Sequence, residues 1–204
     1  MFAPSIDATL LRAERRLVKA LELRSRSLQP RLAQASGLWK DAPVTITTRV
    51  YDGDAVGYMR VATIAGTQLT LGSLLVCARP NRGLPLFSGE LVSRGLARET
   101  AVTVDVVPMT DTVARGESHP AAFQKTVGNE QLAGVLAAFD ASVDAWITLT
   151  GAMPPSPDSA DAVRRRQHEY TDARRADPRT RSLLVAMFGA AWADDYLRSV
   201  LFPA

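Results

Sequence analysis

The sequence predicts an α/β domain in which an antiparallel meander of strands has helices before and after it in the chain. Three observations predict it. Between Trp39 and Val107, runs rich in Val, Leu, Ile and Thr are separated by short polar or glycine-containing breaks, the pattern of strands joined by hairpins. Ahead of them, Asp7 to about Ser27 sets Leu10, Leu11, Leu17, Val18 and Leu21 on one helical face. Behind them, Gln131 to Thr148 does the same with Leu132, Val135, Leu136, Phe139, Val143 and Ile147. At 204 residues the chain is long enough to bury a core as one domain spanning 1–204, and 47% hydrophobic content excludes global disorder.

Each element has its own grounds. On the first helix, Arg12, Arg15, Arg16 and Lys19 lie off the apolar face and read as a solvated surface; Pro30 ends or bends the helix. Trp39 to Val50 opens the sheet: Val44, Ile46, Thr48 and Val50 alternate with Thr45, Thr47 and Arg49, and Asp52-Gly53 is a hairpin signal. Val56 to Ile64, Gln68 to Ala78, Leu84 to Val92 and Ala101 to Val107 continue the meander. Pro108 to Gly128 reads as a long connection that holds His119-Pro120. Gly151 to Asp161, with Pro154, Pro155 and Pro157, reads as a flexible joint. The stretch Asp161 to Arg181 is strongly basic. Asp177-Pro178 is a helix start, Asp at the cap and Pro at the first turn. Leu184, Phe188, Trp192, Tyr196 and Val200 then recur at four-residue steps as a packing stripe.

Glu90 is the residue that calls for a function. It sits inside an apolar strand, where a carboxylate is costly unless paired, hydrated or used. A hairpin centred on Thr67 places Val61 opposite Ser73, and a two-residue turn at Asn81-Arg82 places Ser73 opposite Glu90. Val61, Ser73 and Glu90 then form a row across three strands. Met59, Thr63, Leu71, Leu75, Cys77, Leu86, Ser88 and Val92 share the face. An acid kept dry among such residues is placed to donate a proton. The competing reading is a solvent-facing Glu on a half-exposed sheet, which a one-residue slip in register would produce.

Composition narrows the field further. Cys77 is the single cysteine, so no internal disulfide framework exists, and a reducing compartment is expected. His119 and His168 lack cysteine partners and metal-ligand spacing, and there is no glycine-rich phosphate loop. No uninterrupted run of eighteen apolar residues and no secretory signal are visible, so no membrane span is expected. The formal net charge is only +3 and no nucleic-acid-binding motif accompanies the basic run.

Leu84-Pro85-Leu86-Phe87-Ser88-Gly89-Glu90-Leu91-Val92 resembles the signature strand of the ferredoxin-dependent bilin reductases, Leu-Pro-Ile-Phe-Gly-x-Asp-Leu-Val, with Arg79-Pro80 at the matching distance. Asp105-Val106-Val107-Pro108 resembles the strand that follows. Asp177-Pro178, Phe188 to Tyr196 with its Phe-Gly-Ala-Ala-Trp start, and Val200-Leu201-Phe202 resemble the family's closing helix and terminus. The likeness covers roughly residues 56 to 108 and 170 to 203 in order.

The resemblance implies a three-layer αβα sandwich with a central antiparallel sheet. The open-chain tetrapyrrole lies between the sheet and the C-terminal helices. It implies no bound cofactor or metal: electrons arrive singly from reduced [2Fe–2S] ferredoxin, and acids in the pocket protonate a bilin radical. Glu90 falls on the family's central catalytic aspartate, and Asp177 resembles a second acid. Val61 and Ser73 fall where some members carry Glu and His. Val61, Ser73, Leu75 and Ser88 are therefore expected to line the substrate. Arg174, Arg179 and Arg181, with Arg175, are candidates for contact with bilin propionates or ferredoxin. Arg49 and Arg60 are read as solvent-facing, with a propionate as the other possible partner. A single two-electron reduction of biliverdin by a monomeric cytoplasmic enzyme is the expectation. A red chlorophyll catabolite-type reductase and a non-catalytic tetrapyrrole-binding protein are the rivals.

Overall fold

The structure is a computed structural model that describes residues 5–94, 99–109, 123–152 and 160–202. Strands β1 (Arg24–Arg26), β2 (Gln34–Trp39), β3 (Ala42–Asp52), β4 (Val56–Gly66), β5 (Leu69–Ala78), β6 (Leu86–Arg94), β7 (Glu99–Val107) and β8 (Phe123–Gly128) form one sheet. Every pairing is antiparallel, in the order β1-β3-β4-β5-β6-β7-β8, and β2 shares the β3 edge with β1. Helices α1 (Ile6–Ala20) and α3 (Leu132–Ala152) cover one face. The other face carries α2 (Pro30–Ala33), α4 (Ala160–Arg175), α5 (Pro178–Phe188), α6 (Ala190–Tyr196) and a closing π-helical turn, Leu197–Leu201. The expected three-layer αβα sandwich is therefore the fold observed.

The two faces are two cores, sorted by the strand period of two. Met59, Val61, Leu74, Val76, Phe87, Leu91, Val102 and Val104 point toward α1 and α3. Val44, Ile46, Val50, Ile64, Leu75 and Leu86 point toward the C-terminal helices. Close approach on this second face depends on Gly37. A Cβ there would stand 2.1 Å from the Met187 carbonyl oxygen, so α5 rests backbone-to-backbone on β2.

Several expectations change. The first helix stops at Ala20 rather than near Ser27, because Glu22 adopts a left-handed conformation (φ 50°) and the chain turns into β1. Strands β2 and β8 were not foreseen. The first is short and glycine-containing, and the second lies in what reads as a connection. His119-Pro120 and the prolines at 154, 155 and 157 lie outside the described residues. Gly189 (φ 85°) splits the final helix into α5 and α6, yet Leu184, Tyr196 and Val200 of the stripe stay buried.

The basic face of α1 is not simply solvated. Arg12 pairs with Asp140, and Arg16 with Asp140 and Asp144, on α3. Such part-exposed pairs are each worth about 0–1 kcal/mol and mainly fix how the helices lie. Helix α3 is long and apolar enough to cross a membrane by length and composition. Here Val135, Leu136, Phe139, Val143 and Trp146 are buried against the sheet, as in a core helix.

Burial in this fold has a pH signature. It pushes the Cys77 thiol up from 9.0 to about 12. Burial, with the hydrogen bond to Glu14 as second cause, pushes the Tyr51 phenol up from 10.0 to about 12. Both groups are neutral when protonated, so the folded chain holds these protons more tightly than the unfolded chain. Their contribution to stability is full below about pH 9 and is lost as pH rises toward 12. Urea unfolding should show a falling midpoint across that window, and a shallower fall in Cys77→Ala. Identical slopes in the two proteins would contradict this.

Candidate functional site

Between the sheet and α5–α6 lies a cleft of about 760 Å³, within the usual range for small-molecule sites. Its sheet wall follows directly from register. Ser73 pairs with Glu90, and Glu90 pairs with Thr103, which pairs with Gln124. The predicted β5–β6 register is thus the observed one, although a 3₁₀ turn at Pro80–Arg82 and Gly83 (φ 63°) make the connection. On the other side of Ser73 the expectation fails. Ala62, not Val61, pairs with Ser73, because the β4–β5 hairpin turns on the two residues Thr67 and Gln68 instead of centring on Thr67. Val61 is fully buried on the opposite face, among the α1–α3 core, as is Met59.

Glu90 reaches the cleft and is not dry. Its side chain is 42% exposed and accepts a hydrogen bond from Arg174 Nη2 at 2.9 Å. The cleft is open on that side, so the desolvated acid anticipated from the strand pattern is a half-exposed, ion-paired one. Arg174 lies on the last turn of α4, its guanidinium 6.0 Å from the centre of the Phe202 ring. Asp177 caps α5, its carboxylate accepting from the Arg179 amide at 2.9 Å, and also lines the cleft with Arg179 and Thr180. Capping and a place in the cleft are therefore both true of Asp177.

The other expected residues divide. Ser73 lines the cleft. Leu75 is buried and faces a second cleft of about 450 Å³, beside Tyr58, Cys77 and His168. Ser88 is buried on the same sheet face but lines neither cleft. Arg181 is directed away: its guanidinium forms a two-pronged pair with Asp194 of α6, since its place on α5 faces that helix and not the sheet. Arg175 bonds Asp172 and the Phe202 carbonyl.

Arg60 does not face solvent as expected. It is 2% exposed, on β4 between Val50 and Leu75, and it lines the cleft. Its Nη2 donates to Ser73 Oγ at 3.0 Å, while Nε and Nη1 are buried with no protein acceptor among the described residues. Burying a charge costs several kcal/mol even after relaxation. One hydrogen bond from a charged group returns only about 1.5–3 kcal/mol. Tyr196 lies alongside, bonded to Thr48 at 2.7 Å. Burial raises its phenol, and the Arg60 charge is the largest opposing influence. The signal for Arg60 was available: like Glu90, it is a lone charge inside an apolar strand. Arg49, by contrast, points to the other face and grips the buried carboxylate of Glu14 through both its Nε and its Nη2.

The αβα sandwich carries a carboxylate on its central strands, facing a cleft closed by C-terminal helices, and comparison finds the same fold in solved proteins and a partial family match. Residues 113–203 match the family model of ferredoxin-dependent bilin reductase. The selenomethionine form of phytochromobilin synthase from tomato, solved in complex with biliverdin, is similar over 97% of this chain and 83% of that one, with a TM-score of 0.83 at 14% identity. PcyX is similar over 95% of this chain and 98% of that one, with a TM-score of 0.61 at 11% identity. No curated protein matches by sequence. The resemblance read from the terminus falls within the residues that the family model matches, and the chain shares the fold of these solved proteins; the 84–92 strand lies outside the matched residues.

Proposed function

We propose that this chain reduces an open-chain tetrapyrrole, biliverdin, with electrons from reduced [2Fe–2S] ferredoxin. The observation that carries the reading is Glu90, set on the sheet wall of the cleft with Asp177 across from it on α5. Two reduced ferredoxins supply one electron each and two protons are taken up, so that one carbon–carbon double bond of the bilin becomes a single bond. Glu90 donates a proton to the one-electron-reduced bilin, and Asp177 or solvent provides the other. Arg174 and Arg179 suit the propionates. The exposed Arg164 and Arg165 on α4 suit an acidic ferredoxin. We place the enzyme in the cytoplasm.

Anaerobic turnover tests this. Electron-dependent loss of the biliverdin band, with a single chromatographic product, is the expected result; a stable bound-bilin spectrum under continued electron supply would sink the reductase reading. One observation favours a second reading, tetrapyrrole binding without reduction. Glu90 is ion-paired with Arg174, and that pair must part before the acid can carry a proton.

Asp177→Asn separates the two roles of Asp177. Asn caps helices about as well as Asp, whereas Ala at a cap costs about 1 kcal/mol. Turnover should fall in Asp177→Asn with the melting temperature unchanged; full activity in that variant would leave Asp177 as a cap alone.

A further inference from the structure

We propose that a carboxylate of the substrate frees Glu90 for catalysis, by taking Arg174 away from it when the bilin enters the cleft. This rests on the bilin reading given above and adds to it a substrate-operated release of the acid. Glu90 on β6 and Arg174 on the last turn of α4 both line the cleft. They share a single hydrogen bond, from Nη2 to Oε1 at 2.9 Å. Glu90 has no other ion pair or side-chain hydrogen bond among the described residues. The pair has to part before Glu90 carries a proton, and the incoming carboxylate is what parts it.

Arg174 is not used up by its bond to Glu90. Its Nη1 donates to no acceptor among the described residues and, unlike Nε, is not buried. A carboxylate that enters the cleft offers two oxygens to Nη1 and Nη2 together. Such a two-pronged charged pair is stronger than the one-pronged pair that it replaces. The side chains of Arg174 and Glu90 are 32% and 42% exposed, so their own pair is weakly held. The Phe202 ring, 6.0 Å from the guanidinium, keeps the cation at the cleft wall while its partners change. Arg94 and Arg179 line the same cleft, but neither is bonded to Glu90, so a propionate on either leaves the acid tied.

Single-turnover reduction of biliverdin and of its dimethyl ester tests this, each bilin first bound to saturation and then supplied with reduced ferredoxin. The ester has the same chromophore and no carboxylate to offer Arg174. In the unsubstituted chain the ester should be reduced about fivefold more slowly than the free acid, the factor that one ion pair of this exposure carries. In Arg174→Met, Glu90 is no longer tied. The two bilins should then be reduced at one rate, and the ester faster than by the unsubstituted chain. A merely structural role for Arg174 would slow both bilins alike and leave their ratio in place. Arg174→Gln carries the same test if Arg174→Met does not fold. Equal rates for the two bilins in the unsubstituted chain would overturn the proposal. So would a ratio that persists in Arg174→Met, which would give the effect of the carboxylate to Arg94 or Arg179. Failure of the unsubstituted chain to reduce biliverdin at all would overturn the functional reading and this proposal together.

Discussion

Glu90→Gln should lower the rate of bilin reduction by about 10²–10⁴-fold, the usual contribution of a positioned general acid. Bilin affinity should barely change. The substitution is close to isosteric, and a Gln carbonyl can still accept from Arg174, which now donates to Glu90 at 2.9 Å. What disappears is the proton. Rapid-mixing spectra under anaerobic conditions distinguish chemistry from binding: the variant should take up bilin, accept an electron and accumulate a one-electron-reduced species. A rate equal to that of the unsubstituted protein would remove Glu90 from the mechanism. Loss of binding instead of rate would make Glu90 and Arg174 a structural pair at the cleft wall.

Trp146→Ala should cost about 3–5 kcal/mol of folding stability, the range for emptying a large aromatic site in a core. Trp146 is 1% exposed. Its indole N–H donates to the Pro85 carbonyl at 3.0 Å, just before β6 begins. The residue thus ties α3 to the strand that carries Glu90. Removing it leaves a cavity and an unpaired buried carbonyl. Chemical denaturation measures the loss. Trp146→Phe should lose less, since most of the volume stays and only the hydrogen bond goes. A change of under 1 kcal/mol in Trp146→Ala would mean that α3 is not anchored to the sheet in this way.

The sequence made the meander, the two amphipathic helices and the helix start at Asp177 legible, because each is written in local periodicity or cap chemistry. The cross-strand pairing of Ser73 with Glu90 was legible too, since its parity depended only on the spacing between two apolar runs. Val61 was misplaced for the complementary reason. Whether a hairpin centres on Thr67 or turns on Thr67-Gln68 is a difference of one in the sum of paired residues, and that difference exchanges the two faces of the sheet. Arg60 came into the cleft by the same exchange. Arg181 and Arg174 could not be sorted by composition. Both lie in one basic run, and only the break between α4 and α5 turns one toward Glu90 and the other toward Asp194.

On the proposed function, a bilin bound in this cleft is reduced with electrons from ferredoxin. The most direct measurement is an anaerobic reductive titration of the protein–biliverdin complex with stoichiometric reduced ferredoxin, read by absorption. The bound-biliverdin band should disappear after two electron equivalents per bilin, with one dihydro product released. A band that persists after those equivalents have been added, with the ferredoxin remaining reduced, would contradict it.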